Sequence, residues 1–345
     1  MKLVMTLLAR DEADVVDAQI AFHLHAGVDY VIATDNASSD GTTEILERYE
    51  RAGVLRLIRE PDGELLQDAW VTSMARLAAT EHGADWVINS DADEFWWPRG
   101  GTLKDVVAAV PERYGALRGC WRHFLPRPDD GAFFAERMTV RLATPAHPGD
   151  KRTIFHAHQK VAHRAHPEVA IAQGNHDVEA PGLETLRAWR PIEVLHFSFR
   201  SVAQVERKAR GAWLRVPGVP PTLHQTLLDE AVREGRAAAF YASFAVGEHD
   251  LAHRLAEGTA AVDTRLRDAL RAIRREDGSF ALPGECAPLA FPCADVHEGA
   301  ALAAEIAPLE AIDGIVRASD RVDALEKRLL RLERGPFGPR RRLAP

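Results

Sequence analysis

Cysteine is scarce in this chain of 345 residues, where Cys120, Cys286 and Cys293 are the whole supply. Three thiols at such irregular spacing exclude a disulfide framework or a zinc ribbon and suit a reducing compartment, so Cys286 and Cys293 are read as free. Long apolar runs are also missing. No window approaches the roughly 18 uncharged apolar residues of a membrane-spanning helix. Met1 to Leu8 has neither the basic start nor the small-residue cleavage site of a signal peptide, and a cytoplasmic location is the expectation. Positive charge is not in excess: 43 Lys and Arg stand against 51 Asp and Glu, for a net charge of -8. A nucleic-acid backbone would be repelled rather than gathered. Finally, the first half lacks Gly-x-Gly-x-x-Gly, a P-loop and Gly-x-Ser-x-Gly, which withdraws support from dinucleotide oxidoreductases, kinases and serine hydrolases.

What is present is the composition of a folded enzyme, 46% hydrophobic and 27% charged, in a length that allows one large α/β unit with an appendage. Short apolar runs at Leu3 to Leu8, Val28 to Thr34, Val54 to Ile58 and Trp86 to Asn89 alternate with helical periodicity at Ala13 to Ala26, Thr42 to Arg51 and Ala69 to Glu81. This rhythm predicts an α/β fold with a mainly parallel, Rossmann-like sheet flanked by helices. Ligands of such sheets sit beyond the carboxyl ends of the strands. Polar clusters occupy three of those ends: Arg10-Asp11-Glu12, Asp35-Asn36 and Asp91-Ala92-Asp93-Glu94. After Pro217-Gly218-Val219-Pro220-Pro221 the character shifts to Ala-, Leu-, Arg- and Glu-rich helices, expected at Leu223 to Phe244, Val262 to Arg275, Gly299 to Ala307 and Ser319 to Arg334. The expected division is a catalytic domain over 1–215 and a mainly helical region over 216–345.

Asp91 and Asp93 lie two apart at a strand end, which would aim both carboxylates at one side. Hard oxygen ligands of this kind suit Mg²⁺ or Mn²⁺, with phosphate and water completing the shell. The flanking Trp86-Val87-Ile88-Asn89 and Phe95-Trp96-Trp97 set the pair in apolar surroundings, where two like charges without a cation would be costly.

Three segments, Thr6-Leu7-Leu8-Ala9-Arg10-Asp11-Glu12-Ala13, Asp35-Asn36-Ala37-Ser38-Ser39-Asp40-Gly41-Thr42 and Asn89-Ser90-Asp91-Ala92-Asp93-Glu94-Phe95, together resemble a family 2-type glycosyltransferase of the GT-A fold, in the bacterial branch with an Asp-x-Asp-Glu-Phe segment. The resemblance is strong to about residue 100, fair to about 211 and absent beyond. It implies a hexosyltransferase-like enzyme, of the kind used in polysaccharide biosynthesis, with a nucleotide-sugar donor, UDP-sugar favoured, and a glycan, lipid-linked or small-molecule acceptor. It further implies that Arg10, Glu12, Asp35 and Asn36 surround the nucleoside, that Asp91 and Asp93 carry the metal on the diphosphate, and that His196 completes its shell. Arg200, Lys208 and Lys160 become candidate phosphate partners. Inversion at the sugar carbon would need a carboxylate base, for which Asp177, in a Gly-led polar loop, is the first candidate, with Glu179 and Glu94 open.

Other readings remain in view. His156, His158 and His176, with Asp177, compose a candidate zinc hydrolase site. A sugar nucleotidylyltransferase lacks its Gly-rich basic loop here, and a non-catalytic nucleotide-sugar-binding module would keep the pocket without the chemistry. Val322, Leu325, Leu329 and Leu332 form a heptad-like stripe compatible with a homo-oligomer or a packed capping helix. Arg328, Arg331 and Arg334 offer peripheral contact with an anionic membrane.

Overall fold

The computed structural model describes residues 1–61, 66–146, 153, 155–210, 223–291, 312–313, 317–326 and 328–329. The chain opens β1 (Leu3–Ala9), α1 (Val16–His25), β2 (Tyr30–Asp35), α2 (Thr42–Arg51), β3 (Leu55–Arg59), α3 (Gln67–Thr80) and β4 (Trp86–Asp91), the rhythm predicted from the sequence. β1 lies between β2 and β4, all parallel, and β3 flanks β2. Leu3, Val4, Met5 and Leu7 are fully buried because helices cover both faces of this part of the sheet. α2 is entered through Gly41 at φ 102, and the Asp40 carboxylate accepts from the Thr42 N–H at 3.1 Å.

The second half departs from the parallel rule. It continues with β5 (Glu94–Pro98), α4 (Leu103–Ala108), β6 (Ala116–His123), the single turn α5 (Phe134–Arg137), β7 (Val140–Leu142), β8 (Gln159–Arg164), β9 (Ala170–Ile171), a 3₁₀ turn at Gln173–Asn175, β10 (Val178–Glu179), β11 (Thr185–Leu186) and β12 (Ile192–His196). The main path runs β3-β2-β1-β4-β8-β6-β12-β5. β8 is antiparallel to β4 and β6, and β5 is antiparallel to β12. Phe95-Trp96-Trp97, read as an apolar flank, is itself a strand that reverses direction immediately after the acidic turn at Asp91 to Glu94.

Beyond residue 200 come α6 (Val202–Arg210), α7 (Leu223–Arg233), α8 (Ala237–Phe244), α9 (Glu248–Ala256), β13 (Ala260–Val262) and α10 (Arg265–Ile273). The expected single helix from Leu223 to Phe244 breaks at Gly235, whose φ is 69. The expected start of a helix at Val262 is instead strand β13, paired with β7, and Asp263 then turns the chain by binding Arg141 and Arg265. Leu266, Leu270 and Ile273 of α10 share a core with Leu3 and Phe22, whereas α7 and α8 pack on Val205 of α6. The expected boundary at 215/216, the helix at Gly299 to Ala307 and Cys293 lie outside the described residues. No helix among the described residues is long and apolar enough to cross a membrane.

His23 locks α1 to β5 in the core, with its Nδ1 donating to the Gln19 carbonyl at 2.7 Å and its Nε2 accepting from the Trp96 N–H at 3.0 Å. Burial pushes its pKa down to about 4, against an ordinary value of 6.5. A folded-state value below the unfolded one gives stability that is complete above pH 6.5 and lost as pH falls toward 4. Denaturant melts across that window should show a loss of about 2–3 kcal/mol attributable to this ring. His23→Gln should flatten that part of the profile; an unchanged slope would show that His23 does not generate it.

Candidate active site

The carboxyl ends of β1, β2 and β4 meet the ends of β6 and β12 around a cavity of about 550 Å³. The sheet register assembles its acidic corner. His196 at the end of β12 stands opposite Glu94 of β5 on one side and His123 of β6 on the other. Asp93 lies in the turn between β4 and β5. Asp93, Glu94 and His196 are all buried, and each offers a ligand atom within 4.8 Å of the others; among the described residues they are the one group of three such side chains.

Electrostatics in this corner follow from burial. Glu94 is fully buried, and its pKa is pushed up to about 8 by desolvation, aided by Asp91 and Asp93 and opposed by Lys160. Its Oε1 accepts from Trp121 Nε1 at 2.8 Å and lies 2.9 Å from the Lys160 ammonium. Burial also works against ionisation of Asp93, but the Lys208 ammonium at 3.2 Å and the Arg200 guanidinium outweigh it and hold the carboxyl well below the usual carboxylate range. Burial keeps His196 neutral at ordinary pH; it stacks on Trp121 with ring centroids 4.2 Å apart. Lys160, itself 1% exposed, bridges Asp91 at 2.5 Å and Glu94, and sits over the Trp121 ring at 5.3 Å.

Arg200 is the second organising cation. It is fully buried, with Nε donating to Asp14 at 2.8 Å and its terminal nitrogens reaching Glu12, Asp14 and, at 3.8 Å, Asp93. Desolvation raises Glu12 to about 7 despite Arg200 and Lys208. The local sequence fixes Arg200 in place. Ser201 caps α6 by accepting from the Gln204 N–H at 3.1 Å, and the Gln204 side chain in turn accepts from the N–H of Arg200, the residue before the cap, at 3.3 Å. The Arg200 carbonyl accepts from Arg137 at 2.6 Å and from the Tyr241 hydroxyl at 3.2 Å, which ties the site to α8.

Asn36 is buried in the cavity wall with neither its amide oxygen nor its amide nitrogen hydrogen-bonded. An unmet buried amide is costly, and this one belongs to a residue of the cavity wall. The non-glycine residues with left-handed φ among the described residues are Asp11, Ala37 and Asn175. They follow β1, follow β2 and end the 3₁₀ turn, so backbone strain gathers around the cavity. Gly174 supports that turn: at φ 74, an added Cβ would lie 2.7 Å from the His176 ring. Asn175 then donates to Asp91 at 3.1 Å.

No family model matches the chain, and no curated protein matches it in sequence. Among solved structures it is similar to S. aureus TarS 1-349 in complex with UDP, at 13% identity and a TM-score of 0.32, over 68% of this chain and 70% of that one. The same TarS segment in complex with UDP-GlcNAc gives 12% identity and a TM-score of 0.33, over 71% and 74%. Glucosyl-3-phosphoglycerate synthase from Mycobacterium tuberculosis, in complex with Mn²⁺, UDP and glucosyl-3-phosphoglycerate, gives 21% identity and a TM-score of 0.26, over 35% and 44%. Likenesses this slight carry no argument about chemistry, which rests on the geometry.

That geometry sorts the residues singled out in the sequence. Arg10, Glu12, Asn36, Asp91, Asp93, Lys160, His196 and Lys208 line the cavity. Asp91 does so without joining the three-ligand group; its carboxylate is turned toward Lys160, Gln67 and Asn175 because it ends a strand while Asp93 sits in the following turn. Arg200 is drawn under the floor by its carboxylates and does not line the cavity. Asp35 has a structural task, accepting from the Ser38 N–H at 3.2 Å and from Thr43 Oγ1 at 2.5 Å, and so fixes the turn into α2. Asp177 and Glu179 fall outside the wall: Asp177 is 56% exposed with Arg118 at 3.6 Å, and Glu179 is exposed on the small β9-β10 ribbon. His156, His158 and His176 do not converge as ligands. His158 stacks on His176 at 4.7 Å, while His176 Nδ1 is engaged by the Gln159 carbonyl.

Sequence reasoning missed Trp121, Ser198, Gln67 and Gln173 in the wall. For Trp121 a signal existed in Arg118-Gly119-Cys120-Trp121-Arg122-His123, a strand unusually polar around one large aromatic. Arg200 gives a direct test of the charge arrangement. Arg200→Met should destabilise the fold by about 3–5 kcal/mol in denaturant titrations, because it strands buried carboxylates. Arg200→Lys should fall in between, since an ammonium lacks the planar fork. A Met variant as stable as the parent would refute this role.

Proposed function

We propose that the chain is a family 2-like glycosyltransferase of the GT-A fold, which moves a sugar from a nucleoside diphosphate sugar, UDP-sugar favoured, to an acceptor hydroxyl. The observation that carries this reading is the buried Asp93, Glu94 and His196 group at the ends of the strands, of which Asp93 and His196 line the cavity together with Lys208 while Glu94 lies behind them. Two carboxylates and an imidazole form a mixed oxygen and nitrogen donor set that fits Mn²⁺ and accommodates Mg²⁺. Asp93, His196 and Glu94 would hold the ion. When bound, it supplies positive charge against the diphosphate that departs.

The chain's own groups supply the rest. Asn36, with donor and acceptor both unmet, suits the paired N–H and C=O of an imide nucleobase, and Arg10 and Glu12 border the same wall. Lys208 is placed to pair with a phosphate oxygen. Trp121 is immobilised by Glu94 and His196 and presents an apolar aromatic surface against which a sugar face can pack. Lys160 holds Asp91 and Glu94 in fixed orientation, so that the polar groups are set before the donor arrives.

Calorimetric titration of UDP, GDP and dTDP with and without Mn²⁺ tests the proposal. UDP should bind more tightly when Mn²⁺ is present, and Asp93→Asn or His196→Ala should weaken Mn²⁺ binding by about 10- to 100-fold or more, as loss of metal-site groups does. Asn36→Ala should weaken UDP while leaving Mn²⁺ binding unchanged. Nucleotide affinity indifferent to Mn²⁺, or Mn²⁺ affinity indifferent to both substitutions, would sink the metal assignment.

A further inference from the structure

The C-terminal helix presents an apolar seam that the body does not cover. Residues 317–326 and 328–329 are helical. The start of this helix is anchored: Arg317 binds Asp313 at 2.8 Å and Glu184 at 3.1 Å, and Asp320 pairs with Arg187. Past Asp320 every described residue is exposed, including Val322 at 54% and Leu325 and Leu329 each at 59%. An isolated helix this short is marginal in water, and large aliphatic side chains at spacings of three and four are the signature of a seam.

We propose that this helix pairs with the same helix of a second copy of the chain as a parallel two-stranded coiled coil. Val322 and Leu329 take the a positions and Leu325 a d position; Leu332, outside the described residues, continues the pattern in sequence. The flanking charges choose both partner and direction. In this register Arg321 is a g residue and Glu326 an e residue. A parallel pair sets each g residue beside the e residue five positions on in its partner, so Arg321 meets Glu326 of the second copy. An antiparallel pair would oppose Arg to Arg and Glu to Glu. Leu at d with Val at an a position favours two strands, and docking of the helix start on the body lowers the ordering cost of assembly.

Sedimentation equilibrium of the full chain over a dilution series should approach twice the 38.0 kDa of one chain. The double variant Leu325→Asp, Leu329→Asp should fall to the single-chain mass while the body keeps its fold by circular dichroism, because neither side chain packs against the body. Arg321→Glu should also weaken the dimer, and adding Glu326→Arg should restore it. Val322→Cys, treated with a mild thiol oxidant, should form an intermolecular disulfide, since a positions face each other only in the parallel arrangement. A monomeric parent, whether or not it binds anionic vesicles, overturns the proposal. So does a dimer untouched by the paired Asp substitutions.

Discussion

Carboxylates crowded at one end of the sheet set the terms for the rest of the structure. Glu12, Asp14, Asp91, Asp93 and Glu94 stand at or just beyond the ends of β1 and β4, the last two buried and the other three half-buried. Such a concentration of negative charge cannot be buried without cations. The first hundred residues provide the acids, and the cations that bind them come from later in the chain: Lys160 from β8, Arg200 from the end of the β12 segment, and Lys208 with Arg207 from α6. The N-terminal parallel sheet is therefore electrostatically incomplete until the second half has folded onto it.

The same dependence explains why the second half abandons the parallel pattern. β8 must run antiparallel between β4 and β6 to lay Lys160 against Asp91 and Glu94. β5 must reverse beside β12 to bring Glu94 level with His196. The C-terminal helices then buttress this arrangement from outside the sheet. Tyr241 on α8 binds the carbonyls of Arg127 and Arg200, and α10 closes the core above α1. What reads in sequence as an appended helical region is thus partly a support for the site.

The candidate site was legible where its residues are close in sequence. Asp91, Asp93 and Glu94 stand out as a charged cluster between apolar runs, and the polar tips after β1 and β2 are visible in the same way. Their division of labour was not. Asp91 and Asp93 appear equivalent as an Asp-x-Asp pair, but a strand end and the turn after it point the two carboxylates at different partners. Asp177 looked suitable because its loop is Gly-led and polar; an exposed ribbon and the Arg118 contact carry it away from the cavity. Trp121 and Arg200 escaped notice or were given the wrong surroundings because their importance lies wholly in contacts distant in sequence.

By itself the sequence determined the βα rhythm, the four leading strands and the placing of acidic clusters at strand tips, because hydrophobic period and turn chemistry act over a few residues. It also determined the heptad spacing and charges of the C-terminal helix. Tertiary structure alone decided which acids converge with His196, which face the cations, and which side chains are left with unmet polar atoms. These outcomes depend on strand order, direction and register, and a shift in any of them would turn the same side chains toward other neighbours.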